Sequence, residues 1–445
     1  MLTAFIRAFR TPDLRNKLLF TLGIITVFRF GSSLPAPGIN ERNVSTCAGI
    51  ASKSSNANVY QIVDLLSGNA LKYMSVFALG IMPYITASII LQLLTVVIPR
   101  LETLKNEGQA GQAKITQYTR YLTIGLAILQ STGYIELARS GTLFQGCSTT
   151  LYPIIPDASV FRLATMVITM VAGTAVIMWM GELITDRGIG NGMSVMIFTQ
   201  VIAVIPGELL TIYQTRQAFI ALLSIVVVFV VVTGIVFMEQ AQRRIPVQYA
   251  KRMVGRRMYG GTSTYIPMKV NQAGVIPVIF ASSLLYIPQL AVSLFGSSSR
   301  PQGWVSFTQR YLEIGTSNSL STMWVYMLAF FLLIVAFTFF YVSITFNPTE
   351  VADNMKKYGG FIPGIRPGRP TAEYLGYVLS RLTTPGSLYL GVVALFPLVA
   401  LGLIGVANQF PFSGVSLLIM VGVGLDTVKQ IESQLQQRNY EGFLR

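Results

Sequence analysis

Ten apolar segments divide the chain, at roughly Leu18–Phe30, Met74–Ile98, Tyr118–Leu137, Val160–Met180, Met193–Ile205, Ala218–Met238, Val275–Phe295, Met323–Phe346, Leu388–Val406 and Val415–Val428. A bilayer core about 30 Å thick takes about 20 helical residues, and most of these stretches reach that length once their flanks are included. The fifth and tenth fall short, which predicts central packing among other helices and not a lipid-facing position. Pro83 interrupts the second segment, so a kink is expected there, with Ile81 and Ile85 one turn apart on a shared face. Upstream, Tyr60–Leu71 reads as a small apolar helix around Ile62, Val63, Leu65 and Leu66 that ends at Ser67-Gly68-Asn69. It is too short to span, and either dips back into the protein as a re-entrant segment or lies on the surface. Met1–Arg10 sets Leu2, Phe5, Ile6 and Phe9 at helical intervals against Arg7 and Arg10, which suits a helix lying in the membrane surface.

Charge orients the array. Lysine and arginine favour the N-terminal tail, the even-numbered connections and the C-terminal tail over the odd-numbered connections by about three to one. Both termini are therefore expected in the cytoplasm. With 445 residues, 52% of them hydrophobic and 11% charged, the chain reads as one integral membrane domain. Histidine is absent, which removes the commonest proton shuttle, general base and metal ligand together. Neither a cofactor nor a metal site is expected, nor catalysis. Cys47 and Cys147 fall in connections placed outside by the charge pattern, where they either pair as a disulfide or stay as free thiols. Charges within the spans are few, Arg29, Glu136 and Asp426 lying toward span ends, so an ion-coupled transporter or intramembrane hydrolase is a poor fit.

The cytoplasmic connections carry the second signal. Gln240–Val270 holds seven basic residues and no acidic one, interleaved with Ile245, Val247, Tyr249 and Met258. A hairpin offering charge at its tip is expected, with anionic lipid, ribosomal RNA or an acidic protein surface as partner, and not DNA. A bare orientation signal remains the alternative. Asn347–Thr371 carries Lys356, Lys357, Arg366 and Arg369 among turn formers, so Arg366 is expected in a defined turn.

Several motifs resemble those of the SecY family of protein-conducting channel subunits. They are Ile81-Met82-Pro83-Tyr84-Ile85 with Leu91-Gln92-Leu93-Leu94-Thr95, Gln117-Tyr118-Thr119-Arg120-Tyr121, Gly181-Glu182 with Arg187-Gly188-Ile189-Gly190-Asn191-Gly192, Gln242-Arg243-Arg244-Ile245 with Tyr249-Ala250-Lys251-Arg252, Lys269-Val270-Asn271, and Phe346-Asn347-Pro348. The resemblance implies an all-α polytopic membrane protein: ten transmembrane helices in two pseudo-symmetric five-helix halves, residues 1–206 and 207–445, around an hourglass pore. It implies a constriction ring of Ile81, Ile85, Ile197, Ile279 and Ile419, which could exclude water when empty yet close around any polypeptide. It makes Tyr60–Leu71, with Ser67 and Gly68, a plug, and places Thr86 and Ser283 at a lateral gate whose helices flex at Pro83, Pro277 and Pro288. It assigns partner docking to Arg243, Arg244, Arg252, Arg256, Arg257 and Arg366. The implied partners are SecE and SecG subunits, the motor ATPase SecA, a ribosome and secretory or membrane protein precursors, at a bacterial plasma membrane. A secondary transporter of a small solute would share the fold class, but should bring polar side chains together at the membrane midplane.

Overall fold

The computed structural model describes residues 9, 11–51, 70, 73–140, 147, 151–157, 159–215, 218–249, 252–254, 257–259, 263–295, 320–403 and 414–443. The ten apolar segments coincide with helices α1 (Pro12–Ser33), α3 (Met82–Val97), α5 (Gln109–Ser140), α6 (Val160–Arg187), α7 (Gly192–Thr215), α8 (Ala218–Gln240), α9 (Ile276–Phe295), α10 (Leu320–Thr345), α12 (Arg369–Leu403) and α13 (Gly414–Phe443). Three shorter helices, α2 (Glu41–Ala51), α4 (Pro99–Asn106) and α11 (Pro348–Lys357), sit in connections. Among the described residues, four runs are long and apolar enough to cross a bilayer unaided: Val160–Arg187, Trp324–Lys357, Arg369–Phe396 and Gly414–Gln436. The pair α3 and α4, bent by 105° at Ile98, passes the same test only when counted together as one broken span. α8 is apolar on every side and leaves Val226, Phe229, Val230 and Phe237 exposed, as suits a helix with one face in lipid.

Strands occupy the basic connections. β1 (Gln242–Tyr249) pairs antiparallel with β4 (Ser263–Lys269), from Gln242 opposite Lys269 to Gln248 opposite Ser263, and β2 (Arg252–Val254) with β3 (Arg257–Tyr259) lies between them in the chain. β5 (Gly360–Phe361) adds to the other edge of β1 at Gln248 and Tyr249 alone. Around Pro246, β1 is therefore itself an edge, the setting a strand proline needs. Alternation sends Ile245 and Val247 into a core with Met268, Met355, Leu375 and Val378 and turns Arg244 to the other face, while Arg243, on the face of Ile245 but nearer the strand's start, is also exposed.

The structure revises three expectations. The second apolar segment is not helical from Met74: residues 74–81 form an irregular strap, with Met74 and Gly80 at φ 43° and 56°, and α3 begins at Met82. Pro83 thus stands in the first turn of α3, where its missing N–H has no helical partner to lose, and it produces no kink. Pro277 lies at the second residue of α9 for the same reason, so of the three prolines only Pro288 is inside a helix. The two short segments lie within helices of 24 and 30 residues, because polar flanks continue the helix beyond the apolar run. α13 packs on α7, α8 and α12, with Leu417, Leu418 and Ile419 almost wholly buried. The surface helix expected at Met1–Arg10 and the segment Tyr60–Leu71 lie outside the described residues except for Phe9 and Ala70.

Candidate functional site

The strap is seated by its neighbours' lack of bulk. A Cβ on Gly173 of α6 would overlap the carbonyl oxygen of Val76, and one on Gly31 of α1 would overlap the Phe77 ring, which stacks on Phe28 at 5.8 Å between centroids. Backbone bonds fix its far edge: Ala36 N–H donates to Met74 O at 3.0 Å, and Val76 N–H to Leu34 O at 2.9 Å. The strap delivers Ile81 into a core with Ile24, Phe28, Ile177, Met180, Ile184 and Met196, where it is 1% exposed. One turn later Ile85 N–H donates to Ile81 O, carrying the side chain of Ile85 toward a cavity.

That cavity, of about 460 Å³, lies between α3, α7, α9 and α13. Ile85, Ile197, Ile279 and Ile419 all line it, one from each of those helices. Ile81 stands behind this wall, packed against the same core as Ile85 and Ile197. The rest of the lining is mixed: apolar Ile89, Met193, Val275, Ile276 and Val423 beside polar Ser88, Gln92, Asn191, Ser194, Glu239, Lys269, Asn271 and Asp426. Four branched side chains from helices far apart in sequence therefore converge on one space with a charged mouth. Branched apolar side chains brought together on a wall disfavour wetting and offer no hydrogen bonds of their own. Among the described residues no cluster of acidic, histidine or cysteine side chains could hold a metal ion.

The charged mouth joins the cavity to the hairpin. Asn271 donates from Nδ2 to Glu239 Oε1 at 2.6 Å and to Gly274 O at 3.2 Å, and Lys269 Nζ lies 3.5 Å from Asp426 Oδ1. Val270 N–H donates to Ala241 O, while a Cβ on Gly386 of α12 would press on Val270 O. The base of the hairpin is thus locked to α8 and α12 immediately before α9 starts.

Both basic loops form one platform, because β5 belongs to the second and pairs with β1 of the first. Arg244 is exposed and lies 4.8 Å from the centroid of the Tyr265 ring, which restrains its guanidinium. Arg366 is exposed in a turn between Gly364 and Gly368, both at positive φ, and its carbonyl accepts from Thr371 Oγ1 at 2.8 Å. The backbones of Arg252 and Arg257 lie on β2 and β3, opposite Tyr259 and Val254; Arg256 is outside the described residues. Thr86 Oγ1 turns back onto Met82 O at 3.0 Å, and Ser283 Oγ is buried with no hydrogen-bond partner.

One contact escaped the sequence reading. Arg120 of α5 grips Glu182 of α6 with two bonds, Nε to Oε1 and Nη2 to Oε2, each 2.8 Å. Both residues stand in quoted motifs, but nothing in a linear sequence says that residues 62 apart face each other. Of the charges near span ends, Glu136 lies 3.7 Å from Arg139 and Asp426 is the partner of Lys269.

Comparison with known proteins agrees with this architecture. The family model described as SecY matches residues 75–428. The protein translocase subunits SecY of Streptomyces coelicolor and Mycobacterium tuberculosis are 62% and 59% identical to the chain, each over the full length of both sequences. Among solved structures, one described as a protein conducting channel superposes with a TM-score of 0.62 at 18% identity, covering 94% of this chain and 91% of that one. Sec61 in the canine ribosome–channel complex gives 0.59 at 17%, covering 94% and 91%. Motifs, helix order, the isoleucine-walled cavity and full-length identity near 60% agree, and the chain belongs to the SecY family.

Proposed function

We propose that the chain is the channel subunit of a protein translocase, with residues 1–206 and 207–445 as its two halves. Unfolded polypeptides bearing a signal sequence pass through the cavity, and transmembrane segments leave sideways into lipid between α3 on one side and α9 and α10 on the other. Ile81, Ile85, Ile197, Ile279 and Ile419 form the constriction, Tyr60–Leu71 plugs it, and Thr86 and Ser283 line the lateral opening. The membrane is the plasma membrane, with both termini in the cytoplasm, as the distribution of lysine and arginine supports. The hairpin platform, with Arg243, Arg244, Arg252, Arg256, Arg257 and Arg366, faces the cytoplasm and receives the motor SecA or a ribosome. SecE and SecG complete the complex, and anionic lipid surrounds it.

The observation that carries this reading is the cavity wall: Ile85, Ile197, Ile279 and Ile419 from four helices among its six isoleucines, with Ile81 packed behind them. Such a wall suits a gasket for a chain of any sequence and suits a solute-specific site poorly. The named relatives are protein translocase subunits, so the solute-transporter alternative gains no support.

The test is a photo-crosslinking residue at Ile279, with a secretory precursor stalled halfway by a folded tail. The reading expects an adduct that disappears when the signal sequence is deleted. No adduct at Ile279, Ile85 or Ile419 would reduce the wall to ordinary packing.

A further inference from the structure

The face opposite the hairpin carries a covalent tie. Cys47 of α2 and Cys147 of the α5–α6 connection are disulfide-bonded, with Cα atoms 5.4 Å apart at a sequence separation of 100. The same two elements are stitched by Asn43 Nδ2 donating to Pro153 O at 2.8 Å and Asn40 N–H donating to Ile154 O at 3.1 Å. Val44, Cys47 and Ile154 of this cap share one apolar core with Met74, Ala78 and Leu79 of the strap. The same core includes Ala127, Tyr134, Ile135 and Ala138 of α5 and Met166 and Met170 of α6, while Ser75 Oγ is buried without a partner and two backbone bonds to residues 34 and 36 hold the strap's edge. Two residues beyond Leu79 the chain reaches Ile81.

We propose that the Cys47–Cys147 cystine is a redox-sensitive clasp: while it is closed, the cap holds the strap, and so Ile81, in the sealed position, and reduction from outside loosens the seal. The inference rests on the channel reading and on the outside placement of this face. Cys47 is fully buried and Cys147 is partly exposed, so a reductant must attack at Cys147 Sγ. With a phosphine, phosphorus bonds to Cys147 Sγ, the S–S bond breaks and Cys47 departs as a thiolate that takes a proton. Water then hydrolyses the thiophosphonium to phosphine oxide and frees the second thiol. Two electrons pass from phosphorus to the sulfurs.

The experiment uses sealed vesicles containing the complete translocase complex, treated on one face with membrane-impermeant tris(carboxyethyl)phosphine. Thiols are counted by maleimide mass labelling, and chloride leak is measured without precursor. The expected result is a several-fold rise in leak when the outer face is treated, with precursor translocation retained. A Cys47→Ser, Cys147→Ser variant should leak equally and ignore the phosphine. If both thiols become labelled while leak stays at its untreated value, the clasp is overturned. That result with a persisting Ile279 adduct would leave the channel reading standing. Cleavage only from the hairpin face would overturn the outside placement, and with it the clasp.

Discussion

Gly173→Ala is a perturbation whose sign the strap decides. In an ordinary helix interior the change favours folding by about 1 kcal/mol, since alanine is the better helix former. Here the new methyl would stand more than an ångström inside contact distance of Val76 O, with Val76 C at 3.0 Å and Phe77 Cδ1 at 3.1 Å also in the way. The obstacle is backbone, and Val76 is anchored on its other side through its N–H to Leu34 O. Overpacking of this kind costs about 1–3 kcal/mol, so the net effect should be about 0–2 kcal/mol against the seated strap, toward the upper end because the obstacle is backbone. A bias of about 1.4 kcal/mol is tenfold in a population, so resting ion leak should rise about tenfold. Gly125→Ala on α5 is the control, because nothing lies within 4 Å of its added Cβ; it should be neutral or slightly stabilising. Thermal unfolding in detergent and chloride efflux from proteoliposomes read the two effects. If Gly173→Ala proves as stable and as tight as Gly125→Ala, the strap does not hold the seal.

The remaining predictions concern separate parts of the molecule. Because Arg120 and Glu182 are only partly buried but bonded twice, a double-mutant cycle with Arg120→Ala and Glu182→Gln should give a coupling of about 1–2 kcal/mol; additivity within error would make the pair incidental. Lys269→Ala should cost less than about 1 kcal/mol, since that pair is well exposed, and the loss should vanish in high salt. Ile279→Asn should raise resting leak by wetting the constriction while Ile279→Leu leaves it unchanged, as conductance in planar bilayers would reveal. Asn347→Ala removes the acceptor for Thr349 N–H and should speed hydrogen exchange across Pro348–Lys357, at a cost of about 1 kcal/mol.

Much of the fold was legible because a bilayer makes strong demands on composition. Every apolar segment yielded a helix, since an apolar run of such length has few other ways to satisfy its backbone. Where composition and backbone disagree, the reading failed: residues 74–81 are as apolar as a span, yet two positive-φ residues and a glycine-lined seat make them a strap. Hydropathy carries no information about φ. Proline position is equally ambiguous in sequence, because Pro83 and Pro277 read as kinks only until the helix starts are known. The Arg120–Glu182 pair, the β1–β5 joint and the cavity itself depend on contacts between distant segments, which no local pattern encodes.

Those distant contacts also give the cavity wall two short rigid connections. From the hairpin, Lys269 and Asn271 reach the wall within a few residues and are braced by Asp426, Glu239 and the carbonyl contact at Gly386, so displacement of the platform must load the start of α9 and hence Ile279. From the opposite face, the strap runs from the cystine-tied core to Ile81 with only Gly80 between Leu79 and Ile81. A packed core passes small displacements on because it has no free volume to absorb them. Opening from the platform side therefore need not disturb the strap, whereas loosening the strap should leave α9 in place. Gly173→Ala and Ile279→Asn act on opposite sides of one wall, and combining them separates the two routes: leak that multiplies would mean independent contributions, and leak no greater than that of Ile279→Asn alone would mean that both act on a single closed arrangement.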